Sequence, residues 1–338
     1  MSRLGSAPIG VYSDDGAVLQ GLQGPNGNIF YLLAASTEVP VPLNAFWRTP
    51  IPAGATLASN SAALVTEFMR QFAVWGNVSV TTDTFTNTVF MADKSTPAVI
   101  VSQVGGSNAG LIQQFSNVPI PPYAVPSPDG LSSPDYGMTI YDPDSDTLWE
   151  FWKAQQVSGA WQAQWGGKLT GYSQSNGIFP YPYGASATGL PITAGHITAE
   201  ELARGSINHA IGISLIDAED SSIFSWPANR SDGHNPTSAP NRIMEGQRFR
   251  LDPSINVDAL HLTRVGKMVA KAAQIYGFVV MDKGGALVIR AKNSMSYMAQ
   301  GMDNPYPPLF GGLHSWAILQ NFPWASLQFL PQNYGQPA

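Results

Sequence analysis

Along most of the chain apolar residues recur at every second position in short runs, and in a few longer runs they recur three and four positions apart. The longer runs predict helices. Residues 61–75 place Leu64, Val65, Phe68, Met69 and Phe72 on one stripe, with Ser59 or Asn60 as cap and Gly76 as stop. Residues 263–276 put Val265, Met268, Val269 and Ala272 on one face and end before Gly277. Thr198-Ala-Glu-Glu201 is a capping box with Leu202 inside it and Gly205 at the end, which predicts a two-turn helix. Most other segments read as strands. Residues 278–282 and 286–290 flank Lys283-Gly-Gly285 and predict a β-hairpin, and 322–329 alternates like a terminal strand.

The densest aromatic stretch, 148–165, holds four of the nine tryptophans and reads as a second hairpin. Strand geometry sets Trp149, Phe151 and Lys153 on one face and Leu148, Glu150 and Trp152 on the other, while Trp161 and Trp165 oppose Gln162 and Gln164. Flat rings beside amides and a carboxylate suit the C–H face and hydroxyl edge of a sugar. The same rings also suit a packed core. Both readings stay open at this point.

Turn residues divide the chain. Two strand-like runs at 17–19 and 29–33 surround Gly24-Pro25-Asn26-Gly27-Asn28 and suggest a short N-terminal arm over 1–37. Pro40, Pro42, Pro50 and Pro52 mark an extended connector at 38–52, because proline fixes φ and biases its predecessor towards extended backbone. A main domain over 53–333 and a tail at 334–338 follow. The long loops 119–137 and 229–241 are expected to rim a site. Many short turn-bounded strands and few helices predict a mainly β fold, a β-sandwich or jelly-roll-like domain with a few covering α-helices.

Composition narrows the function classes. Charged residues are 12% of the 338, about half the usual share of roughly 25%, with 33 Gly and 27 Pro supplying turns. A net charge of −6 without a Lys/Arg block offers no footprint for a phosphate backbone, so nucleic acid is not an expected partner. Without cysteine there are no disulfides, thiolate metal sites or cysteine nucleophiles. The opening residues lack the apolar core of a signal peptide and no run approaches a membrane span. The expectation is assembly in a cytoplasm with no membrane insertion.

Candidate chemistry is sparse. Asp142, Asp144 and Asp146 have calcium-loop spacing, but Thr147 and Lys153 stand where that loop needs Gly and Glu, so an acidic turn and no metal centre are expected. His209 lies in an apolar strand as a structural histidine; as a catalytic base it would need a carboxylate, for which Glu150, Asp217 and Asp232 are the candidates. Arg230 and Asp232, near Trp226, form a polar cluster suited either to a turn or to gripping a ligand. His234 reads as an exposed loop residue, and 245–252 as an exposed strand face. The signatures of the commonest hydrolase and cofactor classes are missing, so no cofactor is expected.

Several blocks nevertheless resemble an uncharacterised β-rich family of actinobacterial proteins and of the long-tailed phages that infect actinobacteria. They include Met138-Thr-Ile-Tyr-Asp-Pro143, Asp146-Thr-Leu-Trp-Glu-Phe-Trp152, Trp161, Trp165-Gly-Gly167, Ala187-Thr-Gly-Leu-Pro191, His209-Ala210, Trp226-Pro-Ala228, Arg248-Phe-Arg-Leu-Asp-Pro253 and Phe322-Pro-Trp324, spread over 45–333. His196 stands where that pattern carries an apolar residue. For a phage member the resemblance implies a minor tail protein at or near the tail tip, within the virion, facing host envelope glycan. It would be attached to other tail proteins through 1–37 and present as a homo-oligomer. The expected ligand residues are Trp149, Glu150, Trp152, Trp161, Trp165, Arg230 and Asp232. A glycan depolymerase acting through Glu150, His209 or Asp232, and a purely architectural virion protein, are the alternatives.

Overall fold

The structure is a computed structural model that describes residues 22–23, 29–30, 38–130, 134–236 and 238–337. Most of the proposed arm lies outside the described residues; within it, β1 (Leu22–Gln23) pairs antiparallel with β2 (Ile29–Phe30).

Two sheets organise the remainder. The larger has the order β17 (Leu327–Phe329), β14 (Arg248–Leu251), β15 (Phe278–Lys283), β13 (Ile211–Leu215), β16 (Val288–Arg290) and β3 (Ser79–Thr81). Helices α1 (Ser61–Trp75) and α4 (Arg264–Ile275) bring Leu64, Phe68, Val265 and Val269 into one core with Ile211, Ile213, Phe249, Phe278 and Val280. On the opposite face Val279 and Met281 pack with Phe46, Trp47, Leu190 and Ile192. A sheet covered on both sides needs apolar side chains at consecutive positions, which explains the unbroken run Phe278-Val-Val-Met281.

The smaller sheet has the order β12 (Trp165–Thr170), β9 (Thr147–Trp152), β8 (Met138–Asp142) and β4 (Thr88–Met91). Beside it lie β10 (Gln155–Val157), β11 (Ala160–Ala163) and β6 (Val101–Gln103), and a further pair joins β5 (Ala98–Val99) to β7 (Val118–Pro119). The fold is mainly β with a few helices, as expected. The sheets are mixed: β13/β15, β16/β3, β4/β8 and β11/β6 run parallel. Among the described residues no helix is long and apolar enough to cross a membrane.

Three expectations change. The strands of the predicted 278–290 hairpin do not pair with each other, because β13 lies between them, parallel to β15 and antiparallel to β16. All five β13 residues are buried, and the centre of the sheet is where such a strand loses most water contact. The 38–52 segment is no free connector either. Trp47 is fully buried with its indole N–H on the Gly177 carbonyl, and Arg250 donates to the Pro52 and Ala53 carbonyls. The domain therefore includes these residues. Finally, 248–251 is not an exposed face: Arg248 and Arg250 are buried, with the Arg248 guanidinium donating to Thr49 and Tyr276 carbonyls.

Candidate functional site

The aromatic stretch folds as one hairpin inside another. β9 and β12 are the outer arms, placing Trp152 directly opposite Trp165. Between them β10 and β11 turn at Ser158 and Gly159, whose φ of 51° and 81° fit a two-residue turn that matches strand twist. Gly166 follows Trp165 because a Cβ there would stand 2.1 Å from the Glu150 carbonyl oxygen.

Strand alternation then separates Trp149 from Trp152, and the break between β11 and β12, which join different sheets, separates Trp161 from Trp165. Trp149 is buried in the core with Phe90, Phe115, Ile140 and Phe151, and its N–H donates to the Gln114 carbonyl. Trp161 is buried in the same cluster. Neither ring can meet a ligand, which corrects two of the expected contacts. Trp152 and Trp165 are partly exposed and face a groove of about 350 Å³ with Gln103, Ser107, Asn108 and Gln164. Such a volume lies in the range of small-molecule sites.

The walls of the groove are held from behind. Asn108 caps α2 (Ala109–Gln114) by accepting from the Leu111 N–H, and Gln103 accepts from the Asn108 N–H at 2.6 Å. Tyr183 stacks on Trp165 with ring centroids 6.1 Å apart, and the Trp152 N–H donates to Asp135 at 2.9 Å. The Lys153 ammonium lies 4.4 Å from the Trp152 ring centre. The groove therefore presents indole surface flanked by amides and a hydroxyl. It can bind a neutral ligand with an apolar face and hydrogen-bonding edges, and it holds no acid–base pair.

Most other candidates are structural. Glu150 is fully buried and its carboxylate accepts the N–H groups of Ile192 and Thr193 at 3.0 and 2.9 Å, tying the smaller sheet to a turn packed on the larger one. Burial pushes it up to about 7 against the pull of those amides. Arg230 donates to the carbonyls of Pro182, Tyr183, Gly184, Ser186 and Ala187, so its guanidinium clamps the loop behind Tyr183 and has no donor left for a ligand. Asp217 pairs with Arg70. Asp142 and Asp146 hold the acidic turn, with Asp146 accepting from Tyr141 and Ser173.

His209 finds a carboxylate, though none of those considered. Its Nε2 lies 3.1 Å from Glu201, the capping-box residue of α3 (Ala199–Arg204), and its Nδ1 donates to the Ala210 carbonyl. Burial alone would lower the imidazole, but Glu201 outweighs it and the net shift is upward; Glu201, which burial would raise, is held below its ordinary value by His209. Both line an enclosed cavity of about 20 Å³, room for roughly one water, together with His196 and Lys292. His196 stays neutral, pushed down to about 3 by burial and by Arg290 and Lys292.

Asp232 is exposed and lies in a cluster with Glu245 and Asp282, all three offering carboxylate oxygens within 4.8 Å of one another. Burial pushes Glu245 up to about 8 with Asp282 and Asp232 adding to it, and burial pushes Asp282 up to about 6 against the pull of Arg290. Glu245 and Asp282 were not legible as partners of Asp232, since the three come from separate segments. Comparison with protein-family models finds no match, and comparisons with curated proteins and with solved structures find no significant similarity.

Proposed function

We propose that this chain is a minor tail protein, at or near a phage tail tip, whose β-rich domain binds host cell-envelope polysaccharide in the groove at Trp152 and Trp165. The observation that carries the binding half is the cross-strand indole pair, partly exposed in an open groove among Gln103, Ser107, Asn108 and Gln164. A pyranose offers a C–H face to an indole and hydroxyls to amides, and two of the amides here, Gln103 and Asn108, are already oriented by hydrogen bonds of their own. The virion setting is supported by the sequence blocks over 45–333 alone. The depolymerase alternative has less support, because Glu150 and His209 are buried and committed to other groups.

The test is binding of the full chain to polysaccharide fractions from host envelopes, with the double variant Trp152→Ala/Trp165→Ala and the core variant Trp161→Phe as a control for folding. Saturable binding lost only in the double variant supports the reading. Equal binding by the folded double variant would remove the groove from it, and absence of the chain from purified particles by mass spectrometry would remove the virion.

A further inference from the structure

We propose that Asp232, Glu245 and Asp282 form a binding site for a hard divalent cation, calcium above all, at the end of the large sheet. Their carboxylate oxygens converge within 4.8 Å, and among the described residues the guanidinium paired with them is that of Arg290, 2.8 Å from Asp282. Arg230, which feels the charges of Glu245 and Asp232, spends its donors on backbone carbonyls. The second observation is independent of the clustering: Glu245 is fully buried and its Oε1 has no hydrogen-bond partner, while Oε2 accepts the Asp232 N–H at 3.1 Å. A buried carboxylate oxygen without a donor is costly unless a proton or a cation meets it, so a cation here would take the place of a proton.

The framework sets the ligands in advance. Asp282 stands in β15, opposite Ser214 of β13. Glu245 is pinned by the Ser225 N–H on its carbonyl and by the Gly246 N–H on the Val280 carbonyl. Gly246 has φ 79°, and a Cβ there would stand 1.9 Å from the Ser225 oxygen, so the chain can turn Glu245 inward only with glycine next to it. Asp232 reaches the cluster from a loop anchored by the Asn235 N–H on the Ala218 carbonyl, and its exposure gives an ion a way in. An all-oxygen set excludes soft metals. Calcium is preferred to magnesium because three carboxylates fixed on separate segments favour an ion that accepts irregular coordination over one that demands an octahedron.

The test uses the full chain, freed of metal by chelation and desalting, with calcium, magnesium or manganese chloride added during calorimetric titration and thermal melts. Expected are one calcium per chain, a melting temperature that rises with calcium concentration, and affinity reduced roughly tenfold or more in Asp232→Asn and Glu245→Gln. Asp232 is exposed, so its variant keeps the test meaningful even where Glu245→Gln fails to fold. Asp142→Asn/Asp144→Asn should bind as the parent does. Binding that survives Asp232→Asn, moves to the acidic turn, favours magnesium, or is absent for all three ions at millimolar concentration overturns the assignment.

Discussion

The groove at Trp152 and Trp165 and the cavity at His209 show how the same fold leaves one aromatic site open and seals a charged one. The groove lies where the small sheet ends, at the strand pair that carries Trp152 and Trp165, and among the described residues its polar neighbours are a hydroxyl and neutral amides, of which Gln103 and Asn108 are held by hydrogen bonds. The cavity is closed by α3 and by Glu38, which accepts from Thr198 and Arg204. There the charges answer each other, Glu201 to His209 and Glu200 to Lys292. A reactive residue type is therefore no guide to a site until its layer is known: the imidazole is structural and two of the four indoles face solvent.

The sharpest break between the closed and open regions should come from Trp47→Ala, which empties a fully buried site on the closed side. A stability loss of about 3–5 kcal/mol by denaturant titration is expected. Truncation before residue 53 should have the same consequence, whereas truncation before 38 should leave a cooperative transition. If Trp47→Ala melts like the parent, the 38–52 segment is a linker after all.

Next in size is the buried pair. His209→Gln should cost about 1.5–3 kcal/mol near pH 6, the scale of a hydrogen bond to a charged group. A raised imidazole contributes stability that is full below its unfolded value of 6.5 and lost as pH rises through the higher folded value; a lowered Glu201 contributes stability present above 4.5 and lost as pH falls through its lower folded value. The gap between parent and variant melting temperatures should therefore be widest between about pH 4.5 and 6.5 and narrow on either side. Glu38, Arg204 and Lys292 also face the pair; Arg204, which burial would lower but pairing with Glu38 raises, keeps its charge across that window, and His196, pushed down to about 3, stays neutral in it. A gap independent of pH would mean that the pair is not ionised.

On the open side the effects should reverse, with binding lost and folding kept. Trp152→Ala and Trp165→Ala should each weaken glycan attachment by about 1–3 kcal/mol while lowering the melting temperature less than Trp47→Ala does. Removing a hydrogen-bonding neighbour, Gln164→Ala, should cost about 0.5–1.5 kcal/mol of binding. The smallest effect belongs to Lys153→Ala, about 0.5–1 kcal/mol in stability through the contact with the Trp152 ring. Glycan binding improved by that change would show that the ammonium covers the ring face a sugar needs.

Local rules in the sequence determined α1, α3 and α4 and their ends, but not the short α2 beside the groove. The stripe from Leu64 to Phe72, the stop at Gly76 and the reciprocal Thr198–Glu201 cap depend on neighbours within a turn, and the structure has them at those positions. The alternation that opposes Trp149 to Trp152 also depends only on strand geometry. What alternation cannot tell is which face receives a second layer, and only tertiary packing buried Trp149 and left Trp152 at the surface. The same limit hid the strand that separates β15 from β16, because pairing across 67 or more residues (278 − 211 for Ile211 and Phe278) leaves no local trace. It hid the partners of the charged residues too. His209 meets Glu201, Arg248 meets the carbonyls of Thr49 and Tyr276, and Asp232 meets Glu245 and Asp282 through chain crossings that no spacing encodes. The expectation of no metal centre rested on local spacing and could not weigh carboxylates from three segments. Backbone propensities act over a few residues and can be read along the chain. Burial and electrostatics act through space, so they were decided only when the sheets closed.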